Sequence, residues 1–167
     1  LSNNKISNID ETAFGTLTNL KLLDLSNNNL KRIVIRLPDS MELLSMNNNN
    51  LITWPLLNTP KNLTELELHQ NNLEYIFPKD LEVQNLRVLD VSNNLINFLP
   101  STIFIQLEKL DLGYNLINTV PLLNSIAPFL RDLVLDGTQI EQIEFKEQTI
   151  LGSISLSHLP MLKKIEA

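Results

Sequence analysis

The sequence predicts an α/β solenoid: a right-handed coil with a parallel concave β-sheet on one side and an irregular, partly 3₁₀ return on the other. Three observations lead to this expectation. Leucine and asparagine dominate, with 35 Leu and 22 Asn making up about a third of the 167 residues, far above ordinary usage. They recur on one spacing, L-x-x-L-x-L-x-x-N-x-L, starting near 20, 41, 63, 86, 107, 130 and 151, a period of 21 to 23 that suits stacked repeats. A further apolar column lies three residues beyond each eleventh position, at Ile9, Ile33, Trp54, Ile76, Leu99, Val120 and Ile143, slipping by one to Ile165 in the last copy.

The units follow in order. Leu20, Leu23, Leu25, Asn28 and Leu30 form the first complete unit, and Met41, Leu44, Met46, Asn49 and Leu51 the second. Leu63, Leu66, Leu68, Asn71 and Leu73 form the third, followed by Leu86, Leu89, Val91, Asn94 and Ile96, then by Leu107, Leu110, Leu112, Asn115 and Ile117. Two weaker copies close the chain: Leu130, Leu133, Leu135 and Ile140 with Thr138 in the Asn place, then Leu151, Ile154 and Leu156 with Leu159 there. With the partial opening copy this makes about seven complete repeats plus one partial over residues 1–167. The third to fifth positions of each unit form a short strand, and right-handed crossovers join parallel strands. Pro55, Pro100 and Pro121 directly follow the return column, where a fixed φ and a missing N–H suit an irregular segment and harm a helix.

A single unit offers about five apolar side chains and has no second layer to cover them, so it becomes stable only by stacking. The Asn column, comprising Asn4, Asn28, Asn49, Asn71, Asn94 and Asn115, has its own reason: an amide both donates to and accepts from the backbone of neighbouring turns that a non-regular corner leaves unpaired. Thr138 supplies part of this and Leu159 none, so the last two turns are expected to be distorted or to sit near a boundary in the parent protein. Neither end carries a recognisable polar cap, so the chain is expected to come from a longer protein whose flanks, including any signal segment, lie outside it.

These residues make the chain resemble the leucine-rich repeat family over essentially its whole length. Leu1-Ser2-Asn3-Asn4-Lys5-Ile6 through Ala13-Phe14 and Leu17 to Leu20 is similar to the 24-residue subclass of extracellular members. The irregular later units, the Asn-rich turns and the closing Ser155-Leu156-Ser157-His158-Leu159-Pro160 resemble insect ectodomains of the Toll, chaoptin and mosquito complement-like types. The resemblance implies a non-catalytic protein-recognition module in an extracellular innate-immune or Toll-like receptor. It also admits a chaoptin-like adhesion ectodomain. An intracellular regulatory scaffold, cytoplasmic rather than secreted, is the third reading, consistent with the short periods.

Composition narrows the chemistry. No apolar run approaches the roughly 20 residues of a membrane-spanning helix. A net charge of -6 with pI near 4.9 and no basic stripe speaks against nucleic acid, which is bound through its phosphates. Zero Cys excludes disulfides, thiolate zinc sites and cysteine nucleophiles within these residues. His69 and His158 fall about four strands apart and share no metal or triad; no Ser has an activating partner, and no glycine-rich phosphate loop occurs. Carboxylates suit calcium, but no loop has the alternating ligand spacing of a dedicated site. No metal, cofactor or enzymatic activity is therefore expected.

Positions two, three, five, seven and eight point outward from the concave strands. They hold nine acidic residues, Asp24, Glu42, Glu65, Glu67, Asp90, Glu108, Asp111, Asp132 and Asp136, against Lys21, Arg87, Lys109 and Arg131. Such a field steers basic partners. Glu67, Asp90 and Asp111 stack in consecutive units, and like charges at that spacing repel. Either Arg87, Lys109 and Arg131 neutralise them, or a basic protein partner does. Tyr114 is the one aromatic in the outward set and an interface anchor by type. The candidate ligand-binding residues are thus Glu67, His69, Arg87, Asp90, Lys109, Asp111, Tyr114 and Asp136, for a protein ligand of basic character or another chain of the same repeat type. Asn62-Leu63-Thr64 matches the N-glycosylation sequon, at the corner entering a concave strand.

Overall fold

The computed structural model describes residues 1–58, 60–76, 85–99, 104–120, 127–145 and 150–166. Its strands in chain order are β1 (Leu22–Asp24), β2 (Val34–Ile35), β3 (Leu43–Ser45), β4 (Leu56–Leu57), β5 (Glu65–Glu67) and β6 (Val88–Asp90). They continue as β7 (Lys109–Asp111), β8 (Asp132–Val134), β9 (Gln142–Glu144), β10 (Ser153–Ser155) and β11 (Lys164–Glu166). Seven of them, in the order β1-β3-β5-β6-β7-β8-β10, form one parallel sheet, and each occupies the third to fifth positions of its unit. Leu23↔Leu44↔Leu66↔Leu89↔Leu110↔Leu133↔Ile154 run across it as one register row. The middle residue of each strand faces inward and its two neighbours face out, as a period of two requires.

β1, β6 and β7 stop after three residues because side chains compete for the next backbone donor. Asp24, Asp90 and Asp111, all at position five, accept the N–H of Ser26, Ser92 and Gly113 at 2.9 Å, which bends the chain out of the sheet in an Asx turn. The eighth position then takes a left-handed conformation in every unit: φ is 55° at Asn27, 53° at Asn48, 55° at Gln70, 54° at Asn93 and 55° at Tyr114. Gly137 at 65° and His158 at 54° keep the same shape. The turns of the last two units are therefore not distorted, contrary to expectation. Thr138 bonds within its own unit, to the Leu135 carbonyl, while the Gly137 N–H to Ser157 carbonyl bond continues the backbone ladder between turns.

The Asn column lies behind these turns. Asn28, Asn49, Asn71, Asn94 and Asn115 are buried. Asn94 Nδ2 donates to the carbonyls of Leu68, Val91 and Ser92 at 3.0 to 3.1 Å, and its Oδ1 accepts the Leu73 N–H at 2.9 Å. Asn115 repeats the set one unit on, with Val91, Leu112, Gly113 and the Ile96 N–H. Each amide thus reaches into its own unit and the unit before it. Asn4 is exposed and donates only to the carbonyls of Leu1 and Ser2.

Between the sheet and the return side the repeat leucines meet. Met41, Leu44, Met46 and Leu51 have 0% exposure, as do Leu63, Leu66, Leu68 and Leu73, and Trp54 with Pro55 is buried beside them. Ile165, expected in the interior column, is 56% exposed. Pro100, Pro121 and Ala167 lie outside the described residues.

On the return side the described residues form turns and two short parallel pairs, β2 with β4 and β9 with β11, and contain no helix. Beyond β4 the Asn58 side chain imitates a further rung: its Oδ1 accepts the Leu37 N–H at 2.6 Å and its Nδ2 donates to the Leu37 carbonyl at 2.7 Å.

Candidate recognition surface

The sheet brings three of the expected residues into one row. Glu67, Asp90 and Asp111 are consecutive register partners on β5, β6 and β7, a strand spacing of about 4.8 Å apart, and all three are half-buried. Two of them accept backbone donors of their own turns. The Asp90 Oδ1 accepts both the N–H and the hydroxyl of Ser92, at 2.9 and 2.7 Å, and Asp111 holds the Gly113 N–H. Burial pushes the Asp111 carboxyl above the ordinary aspartate range; the Gly113 N–H opposes this, while the neighbouring charges of Asp90 and Asp136 reinforce it and Lys109 relieves it. Asp24, at the same position but beside no other acid of that row, is held below the ordinary range by its hydrogen bonds from Ser26.

The basic residues divide differently from the expected pattern. Arg87 pairs with Glu108 at 3.1 Å and Lys21 with Glu42 at 2.8 Å, each joining second positions of adjacent units. Arg87 is thus committed to Glu108 and makes no ion pair with Asp90 or Asp111 among the described residues. Adjacent strands bring equivalent positions to about 4.8 Å, closer than the diagonal a guanidinium must cross to reach position five. Lys109 lies in register between Val88 and Asp132 and is exposed.

Asp136, at the seventh position, accepts from Ser155 Oγ and the Ser157 N–H, both at 2.7 Å, and so ties the last two units. Tyr114 belongs to the turn rather than to the strand. It is 52% exposed, and one side of its ring lies over Gly137: a Cβ added there would sit 2.5 Å from its Cδ1. His69 is half-buried, and its N–H is taken by Asn47 Oδ1 at 2.8 Å while Asn47 Nδ2 donates to Glu67 Oε2 at 2.9 Å. Sequence reasoning missed Asn47. Glu67 is too long to cap its own turn as an aspartate does, so the preceding unit supplies the acceptor; the run Asn47-Asn48-Asn49-Asn50 conceals which amide does so.

Asn62 is exposed at the corner entering β5. It lines a polar cavity of about 380 Å³ with Glu42, Lys61, Thr64, Asn85, Arg87 and Gln106. Among the described residues no group of three or more His, Asp or Glu is placed to hold a metal ion, and no helix is long and apolar enough to cross a membrane.

Comparison with known proteins follows the same repeat. Leucine rich repeat family models match residues 1–51 and, in a second form, residues 62–83 and 85–104. Podocan-like protein 1 of Mus musculus is 32% identical over 166 residues, covering 96% of this chain and 29% of that protein. Chaoptin of Drosophila melanogaster is 32% identical over 149 residues, covering 86% of this chain and 10% of the relative. The chain spans less than a third of either. Among solved structures, that of the LRIM1/APL1C complex superposes with a TM-score of 0.68 at 22% identity, over 99% of this chain and 35% of the other, a likeness of fold.

Proposed function

Because the chain belongs to the leucine-rich repeat family, we propose that it is the non-catalytic recognition segment of an extracellular ectodomain, of the receptor type, that binds a basic protein surface on its concave sheet. The observation that carries this is the Glu67-Asp90-Asp111 row: three carboxylates at strand spacing, with the nearest arginine engaged elsewhere. A row that repels itself is relieved by a cationic partner. A protein partner fits this face better than nucleic acid, whose phosphates need a basic one. Residues Glu67, His69, Asp90, Lys109, Asp111, Tyr114 and Asp136 make the contact, with Arg87 at its margin. Asn62 carries an N-linked glycan, consistent with passage through a secretory pathway.

The test keeps the turns intact. Asp90 and Asp111 serve as backbone acceptors, so lysine would break the loop as well as the charge, whereas Asp90→Asn with Asp111→Asn removes two charges and leaves both acceptors. Captured from the secreted and cell-surface proteins of its source, a partner should bind this variant about 2- to 30-fold more weakly, the effect of two exposed charge pairs at 0.2–1 kcal/mol each. Its salt dependence should also be shallower. Equal affinity and an equal salt slope would remove the electrostatic basis of the reading.

A further inference from the structure

The upstream corners of three consecutive units form a row of amides. Asn62, Asn85 and Gln106 each stand immediately before the first leucine of their unit, are exposed, and line one cavity of about 380 Å³ together with Glu42, Lys61, Thr64 and Arg87, within the size range of small-molecule sites. Its charged groups are already paired, Arg87 with Glu108 at 3.1 Å, Lys61 with Asp39 at 3.0 Å and Glu42 with Lys21 at 2.8 Å, so the cavity offers amides and a hydroxyl rather than an unpaired charge. That chemistry suits a neutral, hydroxyl-rich ligand. The Asn62 side chain lines it and makes no hydrogen bond among the described residues, whereas Asn85 is anchored to the Lys61 carbonyl.

We propose that this cavity is the seat of the protein's own glycan: the inner sugars on Asn62 lie back along Asn85 and Gln106, a path of about 10 Å at strand spacing, rather than projecting into solvent. This rests on the extracellular reading above. Attachment joins Asn62 Nδ2 to C1 of the first sugar and breaks that carbon's bond to the diphosphate of a lipid-linked oligosaccharide donor; the amide proton leaves as the diphosphate departs. The seated sugars wall the upstream edge of β5, β6 and β7, so a partner reaches the carboxylate row from the turn side, past Tyr114.

The experiment uses the full-length protein secreted from eukaryotic cells. Glycopeptide mass spectrometry gives occupancy at Asn62, and peptide-N-glycosidase release is then timed on folded and unfolded protein. Occupancy is expected, with release from the folded protein at least tenfold slower than from the unfolded. Gln106→Ala, which loses no hydrogen bond among the described residues, and Asn85→Ala should each speed release from the folded protein several-fold without lowering the melting temperature appreciably. An occupied site whose release is unchanged in Gln106→Ala overturns the seat and leaves the extracellular reading standing. An unoccupied Asn62 overturns the seat, and the extracellular reading then stands or falls on the concave-face binding test.

Discussion

Replacing Asn94 with alanine tests how the units are joined. The change removes four hydrogen bonds, but their loss is unequal. The Leu68 carbonyl keeps Asn71 Nδ2 at 3.0 Å, Val91 keeps Asn115 Nδ2 at 3.0 Å, and Ser92 keeps the Gln70 N–H at 2.9 Å. Among the described residues the Leu73 N–H bonds to Asn94 alone, and Leu73 is 0% exposed. The cost is therefore that of one orphaned buried donor, about 1–3 kcal/mol, rather than the sum of four bonds. At about 2–4 °C per kcal/mol for a chain of this size, the melting temperature should fall by about 2–12 °C, with a matching loss in urea unfolding. Native-state hydrogen exchange localises the effect: Leu73 should lose protection, while Leu51, held by Asn71 Oδ1 at 2.9 Å, should keep it. A loss below about 0.5 kcal/mol, or protection falling equally at both amides, would refute the one-donor argument.

Other perturbations address the surface. Asp111→Asn should stabilise the protein at neutral pH: with its folded pKa raised, the ionised carboxyl is penalised in the fold, a penalty absent below the ordinary aspartate value and complete above the raised one. The gain over wild type should therefore vanish on acidification, and a difference in melting temperature that is flat with pH would contradict it. Gly137→Ala should cost about 1–2 kcal/mol for an L residue at φ 65°, plus the displacement of the Tyr114 ring. The same change made in Tyr114→Ala should cost measurably less, and a double-mutant cycle with no coupling would show that the ring does not set the glycine. Arg87→Ala should cost under about 1 kcal/mol, the value of an exposed ion pair; a larger loss in thermal unfolding would mean the arginine does more than pair with Glu108.

The concave strands were legible because two inward columns flank each one at fixed spacing, so Leu89 and Val91 locate β6 without reference to any contact. The pairs β2 with β4 and β9 with β11 were not, since return segments such as Val34-Ile35 and Leu56-Leu57 carry no repeating signature. Nor was the rung that Asn58 adds beyond β4, since its partner Leu37 lies 21 residues away. The left-handed eighth position was hidden by its variety: Asn27, Asn48 and Asn93 tolerate it readily, but Gln70, Tyr114 and His158 give no such sign. At the candidate surface, the row of acids followed from register alone. The commitment of Arg87 to Glu108 and the bridging role of Asn47 did not, because they depend on side-chain reach between neighbouring strands.

The one-unit reach of each buried amide makes the array a directed chain of identical couplings. A turn is locked by the amide that follows it, as Leu73 is by Asn94. Pulled from its C-terminal end, the coil should therefore peel in steps, each step freeing one backbone donor in the unit newly laid bare and so easing the next. Pulled from the N-terminal end, it should meet a different sequence of resistances, because there each turn must leave while the amide that locks it is still held in the following unit. Force spectroscopy from the two ends would read this polarity as unequal sawtooth heights from a single scaffold.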